Sequence, residues 1–258
     1  MTATRRHALV TGAGTGIGRA IALALAGAGH AVTLAGRRAE PLEAVAGEIG
    51  AEHCLVAPGF DVTDAGSVEA GIAAAIERFG DIAVLVNCAG EAPSAPFERT
   101  DRATWDRALG VNLTGAFLTT QAALPSLRRA GEARIINIAS TAGLTGYAYV
   151  TAYCAAKHGL VGLTRALALE LAKTDVTVNA VCPGFTDTPL LDGAVETITS
   201  RTGRSADEAR AGLARSNPQG RLVTPEEVAD TVLWLAGPGA SAITGQAIVV
   251  AGGEVMAG

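Results

Sequence analysis

Short apolar runs alternate with helix-length segments from the start of this sequence, and few folds accommodate that alternation. His7 to Thr11 is followed by a helical period over Ile17 to Ala28, and Ala31 to Ala35 by another over Glu40 to Ile49. Cys54 to Ala57 and Ile82 to Asn87 read as strands, with the helix Ser67 to Phe79 between them. Ile135 to Ala139, Val176 to Val181 and Ala247 to Val250 bring the strands to about seven, each apolar enough to be covered on both faces. The pattern predicts an α/β protein: a doubly wound Rossmann fold, with a parallel sheet and helices on both faces. No repeat, low-complexity tract or linker divides the 258 residues, so one dinucleotide-binding domain over residues 1–258 is expected. Hydrophobic residues make up 49% of the chain and charged ones 17%, which is ample material for one large core.

The stretch Leu190 to Leu222 departs from this pattern, because polar and charged residues interrupt it. It follows a late strand and should therefore hang over the carboxyl ends of the strands, where open α/β sheets bind ligands. It reads as a mobile substrate lid.

A net charge of -5 provides no sustained basic face, which argues against nucleic acid and anionic membranes as partners. No apolar run approaches the roughly 20 residues that span a bilayer. The short polar segment before the first strand leaves no room for a signal peptide. A soluble, cytoplasmic protein acting on a small molecule is expected. Cys54, Cys88, Cys154 and Cys182 sit singly among apolar neighbours, without CxxC or HxH spacing, and read as reduced, buried thiols with no metal.

The first strand ends in Thr11-Gly12-Ala13-Gly14-Thr15-Gly16-Ile17-Gly18 and opens a helix. Backbone amides at a positive helix end there face the place a pyrophosphate would occupy, and glycines allow it close approach. Gly12, Thr15, Gly16, Ile17 and Gly18 are the candidate contacts. The second strand leads into Gly36-Arg37-Arg38, where an NAD-selective protein would place a carboxylate for the ribose 2'-hydroxyl. Arg37 can instead pair with a 2'-phosphate, which favours NADP(H) over NAD(H); two solvated arginines are the alternative. Asp61 and Val62 follow the third strand and could meet the adenine edge, although Asp61 fits a loop or cap equally well. Asn87, Ala89 and Gly90 end the fourth strand beside the expected groove.

Tyr153 and Lys157 stand at i and i+4, which puts phenol and ammonium on one helical face. A tyrosine ordinarily ionises near about pH 10, and a neighbouring cation stabilises its phenolate, so such a pair can protonate the oxygen of a ketone under reduction or deprotonate an alcohol. Lys157 and Lys173 are the only lysines, against eighteen arginines, so a lysine here resists the chain's own bias. Ser140 follows the strand Ile135 to Ala139 and could hydrogen-bond the same substrate oxygen. Tyr147 and Tyr149 compete as the acid, but neither has lysine at i+4.

Taken together, these residues resemble the classical short-chain dehydrogenase/reductase family, from Ala8 to Gly253. TGxxxGxG is Thr11 to Gly18, NNAG is Asn87 to Gly90 with Cys88 in place of the second Asn, and YxxxK is Tyr153 to Lys157. The resemblance implies that Asn112, in Val111-Asn112-Leu113, is a further catalytic residue holding a water behind the lysine. It also implies that Tyr153 and Lys157 meet the cofactor and that Lys157 binds the nicotinamide ribose. Asn179 to Gly184 matches the segment after the sixth strand, which places Pro183, Gly184, Thr186 and Thr188 near the nicotinamide carboxamide. Within the family, IASTAGL, YCAAKHGLVGLTRALALELA and NAVCPGFTDTPL look most like 3-oxoacyl thioester reductases of ACP and CoA substrates, including polyketide ketoreductases. Arg201, Arg204, Arg210 and Arg215 in the lid could then meet CoA or phosphopantetheine phosphates, or be solvated helix arginines. A homotetramer is implied, with the helices beginning near Val111 and Thr151 in one interface and the last strand in another.

The leading expectation is an NAD(P)(H)-dependent interconversion of ketone and secondary alcohol on a 3-oxoacyl or 3-hydroxyacyl thioester. A dehydrogenase of a small cyclic or aromatic alcohol is the alternative. Glu91, Phe97, Leu144 and Tyr147 are candidate substrate-lining residues beside Ser140 and Tyr153. A dinucleotide sensor without chemistry, or a structural subunit of the same fold, would have no need of Ser140, Tyr153 and Lys157 together.

Overall fold

The computed structural model of the chain describes residues 6–256; the reading of the first five residues lies outside them. Seven parallel strands form one sheet in the order β3-β2-β1-β4-β5-β6-β7. They are β1 (His7–Thr11), β2 (Ala31–Gly36), β3 (Cys54–Pro58), β4 (Ile82–Asn87), β5 (Arg134–Ile138), β6 (Thr177–Pro183) and β7 (Ala247–Val250). The expected doubly wound architecture is observed. The chain steps outward from β1 to β3, then crosses back to lay β4 on the other side of β1, so the crevice of a topological switch point opens at the carboxyl ends of β1 and β4.

The strand pleat sorts the core into two layers, because successive side chains point to opposite faces. Ala8, Val10, Val84, Val86, Ile136 and Ile138 face helices α1 (Gly16–Gly27), α2 (Ala39–Ile49) and α9 (Pro225–Ala236), through Ile21, Leu25, Leu42, Val45, Val228 and Val232. Leu9, Leu85, Ile135 and Val178 face α3 (Ala65–Phe79), α5 (Gly115–Ala130) and α6 (Thr151–Glu170) on the other side. Helix starts follow local chemistry. Asp64 accepts the Ser67 amide at the start of α3, and Thr224 with Glu227 forms a capping box at α9 with Pro225 in the first turn.

Two regions differ from expectation. The helix expected to begin near Val111 starts earlier: Asp101 caps α4 (Arg102–Leu109) by accepting the Thr104 amide, and the chain continues through a π-helical turn, Gly110–Thr114, into α5. The turn widens around Asn112, whose side chain occupies the interior and bonds the Ala108 carbonyl. The stretch expected to lie over the surface is two helices, α7 (Pro189–Thr202) and α8 (Ala206–Ala214), which share a small core of Leu191, Val195 and Ala209 against Phe185, Ile198 and Leu213. No helix among the described residues is long and apolar enough to cross a membrane.

Beneath the sheet, at its amino end, His7 is buried with both ring nitrogens engaged. Nδ1 is 3.0 Å from the Gly80 carbonyl and Nε2 is 2.9 Å from Thr33 Oγ1. A carbonyl only accepts, so Nδ1 carries the proton and Nε2 accepts from Thr33. Burial lowers the His7 pKa below its ordinary value, and burial does the same at His30. The unfolded chain therefore binds more protons than the folded one just below about pH 6.5, and stability falls as pH drops through that window, by at most about 1.4 kcal/mol per pH unit per histidine. Urea unfolding between pH 7.5 and 5.5 should show this loss, with a smaller slope in His7→Gln; equal slopes in the two proteins would take His7 out of the explanation.

Candidate active site

A cleft of about 950 Å³ lies over the carboxyl ends of the strands. At one end, the glycine-rich turn leaves β1 and enters α1. Gly12 and Gly16 have φ of +68° and +52°, a region that side chains rarely adopt. A Cβ on Gly18 would run into the Gly12 carbonyl oxygen, so the turn closes tightly only without one. Thr15 begins the helix without a side-chain cap, and the first turn of α1 carries no acidic residue. Its amides therefore lack any local side-chain acceptor and suit a pyrophosphate. Ile17, Gly18, Arg37, Asp61, Val62, Ala89 and Gly90 line the same end. Asp61 Oδ1 accepts from the Thr63 amide at 2.9 Å and the Thr63 hydroxyl at 2.8 Å. These bonds lower its pKa, with a smaller contribution from Arg37.

The Thr11 hydroxyl ties this end together. It accepts from the Cys88 amide at 3.0 Å and the Ala89 amide at 3.1 Å, joining the end of β1 to the end of β4. Nothing local in the sequence marks this role beyond its place before the first glycine. Asn87, expected to contact the cofactor, does not line the cleft. Its Nδ2 instead donates to Thr120 Oγ1 and Asn137 Oδ1 at 2.9 and 2.8 Å, a buried bracket between β4, α5 and β5.

At the cleft centre, Ser140 follows β5 and starts a short turn, with its Oγ accepting the Ala142 amide at 3.1 Å. Tyr153 lies in the first turn of α6, and Lys157 lies one turn further on, its Nζ 5.6 Å from the phenol ring centroid. Lys157 is buried and donates from Nζ to the Ile138 carbonyl at 2.8 Å. Burial pushes the Tyr153 phenol up to about 12, against the pull of a hydrogen bond with Ser140. Burial pushes the Lys157 amine down to about 8, and the thiols of Cys88 and Cys182 stand beside it. Those thiols are themselves held neutral, pushed by burial to about 12 at Cys88 and about 11 at Cys182. Asn112 is buried behind them. Its amide donates to the Glu91 and Ala108 carbonyls, each at 2.9 Å, and its Oδ1 accepts the Glu91 amide at 3.3 Å. Gly90 must be glycine beside it, since a Cβ would come within 2.9 Å of Asn112 Oδ1.

The remaining expected residues divide. Pro183, Gly184, Thr186 and Thr188 line the cleft after β6, and Thr188 sits against Gly16 across it. Glu91 and Tyr147 line the substrate end, with Glu91 paired to Arg107 at 2.7 Å. Leu144, expected as a substrate contact, does not line the cleft but packs on the small cluster around Leu160 and Val161. Phe97 is 74% exposed and also lies outside it. None of the four lid arginines lines the cleft: Arg210 bridges Asp187 at 2.6 Å and Asp192, and Arg201, Arg204 and Arg215 are exposed. What α7 and α8 offer instead is an apolar wall of Leu190, Leu191, Ala194, Ile198 and Leu213. The sequence reading took that stretch as polar and missed the wall.

Tyr147 is excluded as a competing acid. Its Oη bonds Thr141 Oγ1 at 2.8 Å and Glu254 Oε1 at 2.7 Å. Having one proton, it gives it to the carboxylate, the stronger acceptor. Burial, then the facing Glu254, push its pKa up.

The family model described as short chain dehydrogenase matches residues 6–199. The chain belongs to the short-chain dehydrogenase family. As a member it is an oxidoreductase, of the class that interconverts ketone and alcohol with a nicotinamide dinucleotide. A Streptomyces coelicolor relative assigned as a ketoacyl reductase is 42% identical, over 95% of each chain. D-beta-hydroxybutyrate dehydrogenase of Cupriavidus necator is 38% identical, over 97% of this chain and 98% of that protein. The crystal structure of a point variant of actinorhodin polyketide ketoreductase with NADPH superposes with a TM-score of 0.91, at 40% identity and with 98% and 99% of the two chains covered. The similarity to polyketide ketoreductases expected from the sequence is thus observed in this short-chain dehydrogenase.

Gly18→Ala should cost about 1–3 kcal/mol, because the methyl cannot be accommodated without moving the first strand-to-helix turn. Thermal unfolding together with fluorescence titration of a dinucleotide should show a lowered Tm and weakened binding; an unaltered protein would mean that the turn yields freely.

Proposed function

We propose that the chain is an NADP(H)-dependent ketoreductase acting on 3-oxoacyl thioesters, with Tyr153 as general acid and base. The observation that carries the proposal is the convergence of Ser140, Tyr153 and Lys157 on one cleft whose other end is a glycine-lined helix start. Gly12, Thr15, Gly16, Ile17 and Gly18 would hold the pyrophosphate of a dinucleotide, Asp61 and Val62 would border its adenine, and Ala89 and Gly90 would flank it. Pro183, Gly184, Thr186 and Thr188 would hold its carboxamide. A dinucleotide held there would supply the hydride for reduction of the carbonyl carbon and accept it in the reverse direction. Ser140 donates a hydrogen bond to the substrate oxygen, and Tyr153 Oη gives that oxygen its proton. Lys157, charged below about pH 8, offsets the phenolate left behind and holds the ribose, while Asn112 supports the relay that returns the proton.

Arg37 at the end of β2 supports NADP(H), because it lines the cleft where a 2'-phosphate would lie. The thioester rests on the relatives assigned as ketoacyl reductases, since the lid arginines are turned elsewhere. A small cyclic alcohol is the competing substrate, supported by 40% identity to cis-4-hydroxycyclohexanecarboxylate dehydrogenase of Sinomonas cyclohexanicum and by the apolar lid wall. The same reading has the chain working as a cytoplasmic homotetramer, an assembly that would cover the exposed Phe117, Leu169 and Trp234.

Cofactor oxidation by the purified protein tests the reading. NADPH should be preferred to NADH, acetoacetyl-CoA should outperform cyclohexanone, and Arg37→Gln should raise KM for NADPH about tenfold while leaving NADH little changed. Tyr153→Phe should retain dinucleotide binding and lose about 10²- to 10⁴-fold in turnover. Unchanged turnover in Tyr153→Phe would refute the assignment of the acid.

A further inference from the structure

The carboxylate of Glu254 stands one hydrogen bond behind the substrate end of the cleft. It comes from the segment after β7, and Oε1 accepts the proton of Tyr147, whose ring lines the cleft and meets Phe185 edge-on at 5.9 Å. Thr141, on the far side of the same phenol, is the neighbour of Ser140. Oε2 is buried without a hydrogen-bond partner, against the Gly184 backbone, where a Cβ would come within 2.8 Å of it. The carboxylate is thus half-buried, with one oxygen satisfied by Tyr147 and the other enclosed without a partner.

Among the described residues, no cation that lines the cleft pairs with Glu254. Among the described residues that line the cleft, the cations are Arg37, Arg38, Arg107 and Lys157. Arg107 is paired with Glu91, and Lys157 is bonded to the Ile138 carbonyl beneath Tyr153. Arg37 and Arg38 stand at the end of β2, at the far end of the cleft from Tyr147. Arg210 is held between Asp187 and Asp192. A free carboxylate held against the Tyr147 wall would therefore face a charge of its own sign that no cation on that wall pairs with, Lys157 lying beneath Tyr153.

We infer that Glu254, acting through Tyr147, is a specificity-determining residue that excludes free 3-oxo acids and restricts the enzyme to substrates that are uncharged around the reacting carbonyl. The inference rests on the ketoreductase reading and narrows it. The 3-position of a 3-oxoacyl thioester or ester is neutral on both sides, whereas a free 3-oxo acid carries its charge two carbons from the carbonyl being reduced. Glu254 touches neither substrate nor dinucleotide in this role; it positions the Tyr147 ring and sets the sign of the field at that wall.

The test compares kcat/KM for acetoacetate with that for methyl acetoacetate and for the N-acetylcysteamine thioester of acetoacetate, using NADPH. The two neutral compounds keep the reacting ketone and remove the charge. The native enzyme should prefer both to acetoacetate by at least about tenfold, and Glu254→Gln, which keeps an acceptor for Tyr147 but removes the charge, should shrink that ratio by about tenfold. A merely structural role would lower all three values together and leave the ratio in place. Equal use of acetoacetate and methyl acetoacetate by the native enzyme would overturn the inference while leaving the ketoreductase reading standing, and so would an unchanged ratio in a folded Glu254→Gln. Failure to reduce any of the three would count against the ketoreductase reading itself. If Glu254→Gln does not fold, Glu254→Ala takes its place and is read by the same ratio, with the same outcomes.

Discussion

A buried ammonium is the interaction on which the rest of the cleft depends. Lys157 spends one of its protons on the Ile138 carbonyl at the end of a central strand, and that bond fixes α6 relative to β5. Tyr153 belongs to α6 and Ser140 follows β5 by two residues, so one contact helps set the spacing of the three side chains that converge. Burial acts on the pair in opposite senses, raising the phenol and lowering the amine, and so favours the neutral form of each. The chemistry proposed here needs the charged lysine, which the site retains below about pH 8.

The sheet supplies the crossing at which such a contact is useful. With β4 returned to the inner side of β1, the glycine turn, the Thr11 bracket and Ser140 all emerge from neighbouring strand ends. Asn112 reaches them from behind only because the helix between α4 and α5 widens for one turn. Helices α7 and α8 line the opposite side with aliphatic side chains, and the Arg210 ion pair ties α8 to the Asp187 carboxylate between Thr186 and Thr188. A substrate in this cleft therefore meets a polar centre, an apolar roof and, behind Tyr147, a carboxylate.

Much of this was legible in the sequence, and the misses have physical causes. Strands buried on both faces announce themselves as apolar runs, and all seven fall within two residues of their expected bounds. Tyr153, Lys157 and Ser140 were legible because i, i+4 spacing and a strand end fix where side chains go. Helix α4 was not, since only Ala108 in it is buried and its apolar period is correspondingly faint; the Asp101 cap was its one signal. Asn87 was misplaced because residues at a strand end alternate between the cleft and the layer beneath, and its amide lies beneath. Leu144 was misplaced because an apolar residue in a turn can face either the cleft or the core, and here it faces the core. The Tyr147–Glu254 bond joins residues 107 apart in the chain, a distance over which no local pattern carries information.

The central claim is that a charged Lys157 drives proton transfer at Tyr153. The pH dependence of kcat/KM for the ketone, with saturating NADPH, measures it most directly, since this ratio reports ionisations of the enzyme form that meets the ketone and includes the proton transfer. In the native protein the ratio for ketone reduction should fall as pH rises through about 8, as Lys157 loses its charge. In Lys157→Met that limb should be absent and the whole profile lower. The same limb in both proteins would contradict the claim, and would assign the ionisation to another group.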